Sequence, residues 1–113
     1  MSRDFWDYLQ DLIDTNEIVI DRRKGSIHPR FPNTVYPVDY GYLKETTTID
    51  GSGVDIWVGT LATSRIVGVL CTVDLLKRDC ELKILYQCTE DEIRSIVNFI
   101  NVDQMRAIYI ARK

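Results

Sequence analysis

The chain has 113 residues, 45% of them hydrophobic and 27% charged, with a formal net charge of −3. That balance fits a single domain, residues 1–113, able to bury a little under ~70% of its unfolded surface, and it excludes disorder throughout. The negative charge gives no broad basic field for nucleic acid, the polar start (Ser2, Arg3, Asp4) is not a secretory signal, and the longest apolar run, 66–70, is far too short to span a membrane.

Phe5, Trp6, Leu9, Leu12 and Ile13 recur at helical spacing and predict an N-terminal amphipathic helix with Ser2 as its cap. Glu17 to Asp21 reads as a short strand. The segment from Arg22 to Asn33 holds Gly25, Pro29 and Pro32 and reads as turn and loop. Tyr36 to Leu43 predicts an irregular or edge strand, because Pro37 cannot donate to a ladder. Asp50-Gly51-Ser52-Gly53 is a tight polar turn, and strands follow at Val54–Thr60, Arg65–Val73 and Glu81–Tyr86. Thr89 followed by Glu92 forms a capping box ahead of the stripe Ile93, Ile96, Val97 and Ile100. Met105 to Ala111 is a closing strand. Together these segments predict a mainly β (α+β) domain: a small closed or partly open five-stranded barrel, OB-like, with an N-terminal and a C-terminal helix.

Cys71, Cys80 and Cys88 are odd in number and contain no Cys-x-x-Cys, which points to reduced thiols in a cytoplasmic protein rather than a disulfide framework or zinc site. His28, beside Pro29, reads as an exposed loop residue, and Trp6 and Trp57 as packing residues. Two aspartate pairs are more suggestive. Asp50 and Asp55 flank a glycine turn feeding a strand, and Asp74 and Asp79 flank the connection between two strands. Four such carboxylates converging on one mouth would repel each other unless cations lay between them, and oxygen-rich clusters suit magnesium or manganese. Aspartate also favours turns for purely local reasons.

The run Tyr36-Pro37-Val38-Asp39-Tyr40-Gly41-Tyr42, then Asp50-Gly51-Ser52-Gly53-Val54-Asp55, then Val67-Gly68-Val69-Leu70 ahead of Asp74 and Asp79, resembles in order and spacing the signature of family I inorganic pyrophosphatases, as a shortened and divergent member. The resemblance extends from about Glu17 to about Lys83. It implies magnesium-dependent hydrolysis of inorganic pyrophosphate, or a related phosphoanhydride, by metal-activated water, with Mg2+ as cofactor and Mn2+ as an alternative. It implies metal ligation by Asp50, Asp55, Asp74 and Asp79, catalytic roles for Asp55 and Tyr40, and phosphate contacts from Arg30, Tyr40 and Tyr36. It also leaves a homo-oligomer open, with no nucleic-acid or membrane partner expected. Two metals sharing a water, with arginine and tyrosine as fixed donors to the phosphoryl oxygens, is the chemistry such a site performs.

Several family positions are changed. Ser52 replaces the aspartate that helps activate water, Val19 replaces an acidic residue, Leu75 follows Asp74 in place of an acid, and Glu81 reverses the charge of a lysine. Arg22, Arg23, Lys24 and Lys83 are the cations available to compensate, and sequence does not place them. A catalytically impaired descendant acting as a metal- or phosphate-binding or regulatory module is therefore the alternative. An oligonucleotide-binding barrel built on the 22–24 basic run is a third reading.

Overall fold

The computed structural model describes residues 2–113. Helix α1 (Phe5–Asp14) is capped by Asp4, not Ser2: Asp4 and Asp7 form a reciprocal box in which each carboxylate accepts the other's backbone N–H. Ser2 lies two residues too early to reach the first turn's free donors. Strands β1 (Ile18–Arg22), β2 (Asp39–Leu43), β3 (Asp55–Val58), β4 (Ile66–Asp74) and β5 (Asp79–Tyr86) follow, then helix α2 (Glu90–Ile100) and strand β6 (Met105–Ala111). The Thr89–Glu92 capping box opens α2 as expected. Tyr36 and Pro37 stay outside β2, where proline's missing N–H costs no ladder bond.

The strands form one sheet in the order β1-β2-β3-β5-β4-β6. The mainly β architecture with two helices matches the expectation, and of its two forms, closed or partly open, the sheet takes the open one; it has six strands rather than five. β5 is already paired on both sides, by β3 and β4, so β6 takes the free outer edge of β4. β1 and β6 therefore end at opposite edges. Every neighbouring pair is antiparallel except β3 and β5, which run parallel with Asp55 opposite Lys83 and Trp57 opposite Leu85.

Alternation along the strands sends side chains to two separate cores. One face carries Val38, Trp57, Leu70 and Leu85 and is covered by Ile93, Ile96 and Ile100 of α2. The other carries Leu43, Ile56, Val69 and Ile84 and is covered by Leu9 and Ile13 of α1. β1 packs so tightly on β2 that a Cβ at Gly41 would lie 1.8 Å from the Val19 carbonyl oxygen. At the β4–β6 edge, Val73, Ile108 and Ile110 remain exposed. No helix of the described residues is long and apolar enough to cross a membrane.

Candidate active site

Asp55 opens β3 and faces Lys83 across the parallel ladder. Lys83 Nζ donates to Asp55 Oδ2 at 2.8 Å, to Tyr40 Oη at 2.8 Å and to Glu81 Oε2 at 3.1 Å. All three ammonium protons thus have acceptors, as a buried lysine needs. The Lys83 side chain is 9% exposed, against 26% for Asp55 and 22% for Glu81. Burial alone would pull the ammonium's pKa down, but the Tyr40 and Asp55 oxygens outweigh it and hold it raised. Burial also raises the Tyr40 hydroxyl, with Asp55 adding to the effect. Both directions agree: Lys83 stays a cation and Tyr40 a neutral phenol.

Further along the same face of β5, alternation brings Asp79 and Glu81 beside Asp50, and one carboxylate oxygen from each lies within 4.8 Å of the others. Asp50 reaches them from the turn after Thr48. There its Oδ1 accepts from Thr48 Oγ1 at 2.6 Å and from the Ser52 N–H at 3.0 Å, and these bonds lower its pKa. Gly51, at φ +87, supplies the left-handed residue the turn requires. Three carboxylates with solvent on one side are a donor set that fits a hard divalent cation, water completing the shell. Thr72 and Asp74 share this face, opposite Glu81 and Asp79 in register.

The four aspartates singled out from sequence are thus divided. Asp50 and Asp79 lie in the three-carboxylate group. Asp55 is paired with Lys83. Asp74 is buried, and its Oδ1 accepts the Leu76 and Lys77 N–H groups, fixing the turn between β4 and β5. Tyr40 touches Lys83, whereas Tyr36 is buried in an aromatic cluster, 5.9 Å from the Tyr40 ring centre. Arg30 is exposed in its loop, and among the described residues no hydrogen bond or ion pair joins its side chain to the carboxylates. Sequence reasoning missed two members. Glu81 was read only as a lost lysine, and Lys83 was left unplaced. The signal was the period of two in Asp79, Glu81, Lys83, Leu85, which puts acid, acid, base and core residue on one face.

An open, mainly β OB-like sheet with an acidic group at one end of a face defines the class of this protein. No family model matches the chain. Over 74 aligned residues it is 36% identical to the inorganic pyrophosphatase of Yersinia pestis and 35% identical to that of Escherichia coli K12, in each case covering 56% of this chain and 42% of the relative. The chain thus spans less than half the length of the curated relatives it matches. Its fold is similar to that of an inorganic pyrophosphatase from Neisseria gonorrhoeae, with a TM-score of 0.59 and 19% identity, covering 79% of this chain and 77% of that one. It is also similar to one from Coxiella burnetii, with a TM-score of 0.55 and 16% identity, covering 83% and 82%. In sequence over these 74 residues, and in fold, the chain is thus similar to inorganic pyrophosphatases.

Proposed function

We propose that this protein hydrolyses inorganic pyrophosphate or a closely related phosphoanhydride with the help of a divalent cation, Mg2+ or Mn2+. The observation that carries the reading is the Asp50–Asp79–Glu81 group beside the Lys83–Asp55–Tyr40 cluster, in a chain whose curated relatives are named inorganic pyrophosphatases. A cation held there would polarise phosphoryl oxygens and lower the pKa of attacking water. The chain's own groups do the rest. Lys83 offers a fixed positive charge where phosphoryl charge accumulates, Tyr40 presents a neutral phenol, and the Asp55 carboxylate is the group to take the water's proton. Lys83 restores, two residues along the same face, the cation lost at Glu81.

A second reading has its own observation in favour. Lys83 already neutralises Asp55, and with Ser52 in the turn the site is short of the carboxylates that activate water. That favours a module that binds a cation and phosphate without turnover. The two readings separate in one assay: phosphate release from pyrophosphate, with and without magnesium, for the wild type and Asp55→Ala. The hydrolase reading expects magnesium-dependent release, reduced at least about a hundredfold in Asp55→Ala, in keeping with loss of a general base. Absence of release at high magnesium or manganese, while calorimetry still detects cation binding that Asp79→Ala weakens, would leave the binding module.

A further inference from the structure

Glu81 is shared between two neighbourhoods. Asp50, Asp79 and Glu81 bring oxygens within 4.8 Å of one another, and among the described residues Asp55 is not a member of that group. The partner of Asp55 is Lys83, whose Nζ lies 2.8 Å from Asp55 Oδ2 and 3.1 Å from Glu81 Oε2. Glu81 therefore faces two ways: toward Asp50 and Asp79 on one side, toward the ammonium on the other. In a two-metal site a shared acidic group stands between two ions in this manner. Here one of the two places holds an ammonium.

The fold builds that ammonium in. Asp55 and Lys83 are opposite each other in the β3–β5 ladder, so the pair comes with the register of the strands. The Lys83 side chain is 9% exposed, and Tyr40 Oη, at 2.8 Å, gives its third proton an acceptor. Behind Lys83 lies an aromatic cavity of about 280 Å3 lined by Tyr36, Tyr40, Trp57 and Phe99, and Nζ is 5.3 Å from the Tyr40 ring centre. A hard divalent cation is bound by oxygen and gains little from such walls. A lysine suits them, because its carbon stem can lie along apolar surface while the charged head reaches the carboxylates. A divalent ion entering between Asp55 and Glu81 would stand beside the ammonium, like charge against like, where solvent screens little. It would have to expel Lys83 from all three acceptors.

We propose that Lys83 takes the place of a second cation, so that the chain holds one divalent cation, on Asp50, Asp79 and Glu81, and supplies the other positive centre itself. The inference rests on the cation-assisted reading of the site and fixes how many cations that site takes. Because Lys83 occupies Asp55, the Asp55 carboxylate is not a ligand of the single cation and contributes little to its affinity. Removing the ammonium frees Asp55 and one side of Glu81 together, and opens the second place.

The test is titration of the intact chain with Mn2+ in the absence of pyrophosphate, the free ion being counted by its electron paramagnetic resonance signal. Phosphate release from pyrophosphate is assayed separately on the same proteins. The wild type is expected to bind one Mn2+. Lys83→Met is expected to bind two, close enough for their spins to couple, a signature that a merely structural role for Lys83 would not produce. Asp55→Asn is expected to keep the single ion with its affinity changed less than about threefold, whereas Asp79→Ala lowers it at least about tenfold. Circular dichroism checks that each variant folds; if Lys83→Met does not, the wild-type count and the Asp55→Asn affinity carry the test. Two Mn2+ in the wild type, or one in a folded Lys83→Met, overturns this inference, and phosphate release then leaves the hydrolase reading standing. One ion in the wild type and two in Lys83→Met, with no phosphate released, supports this inference and overturns hydrolysis. No Mn2+ bound by the wild type overturns it as well.

Discussion

Without the Lys83 ammonium, Asp55 and Glu81 would face the same space with no counter-charge. Breaking a buried ion pair from one side costs about 3–5 kcal/mol, and the partial exposure of both carboxylates lowers the expectation here to about 1–3 kcal/mol. Lys83→Met keeps most of the volume and removes the charge. Its thermal midpoint is expected to fall in the absence of divalent cations and to recover on adding magnesium, by more than the wild type's does. The reason is that Glu81 is freed from its ammonium partner and Asp55 is released beside the Asp50–Asp79–Glu81 group. A midpoint in Lys83→Met that ignores magnesium would show that the carboxylates around Lys83 do not hold a cation.

At the scale of the element, α2 depends on Glu92. Its carboxylate accepts the Thr89 N–H at 2.8 Å, the Thr60 N–H at 3.1 Å and the Thr60 hydroxyl at 3.1 Å, tying the helix start to the segment after β3. Burial by itself would raise its pKa; the Thr89 and Thr60 hydrogen bonds outweigh that and hold it below the usual carboxylate value. A depressed folded pKa gives stability that is present above the unfolded pKa and lost as pH falls through the folded one. Glu92→Ala is therefore expected to cost about 1–2 kcal/mol at neutral pH by urea denaturation, with the gap to wild type narrowing in acid. The Thr89–Glu92 box was legible in the sequence because it is local: cap and partner lie three residues apart. The Lys83–Asp55 pair was not, because it depends on which strands become neighbours and in what register. Asp50 and Asp79 lie between these cases. Both could be singled out from motif order, but that Asp74 fixes a turn while Glu81 joins the acidic group required the pleat of β5.

The whole molecule is a sheet with a helix on each face, and the two layers do different work. α2 covers the face that carries the aromatic cavity and the carboxylates. α1 covers the opposite face, where Leu9 and Ile13 meet Ile56, Val69 and Ile84. Ile13 is 4% exposed, and truncating a side chain so enclosed costs about 2–5 kcal/mol. Ile13→Ala is expected to lower the unfolding free energy by that amount, seen as a lower urea midpoint with an unchanged m-value; a loss below ~1 kcal/mol would show that α1 is a loosely docked cover. All six strand segments were legible in the chain, but gathering them into a five-stranded barrel failed for a topological reason. Counting elements does not reveal that β5 pairs on both edges, which sends β6 to the outside of β4 and leaves the sheet open.

The single parallel ladder also sets an order of events. β4 and β5 are joined by a four-residue connection, 75–78, and can pair as soon as both exist. Asp55 and Lys83 are 28 positions apart, so their ladder closes a far longer loop and pays its entropy first. The charge balance of the site therefore arrives with one of the later steps of folding. A chain in which only the β4–β5 hairpin has formed has Lys83 and Glu81 in place but Asp55 not yet beside them, and so has no assembled site to expose before the sheet is complete.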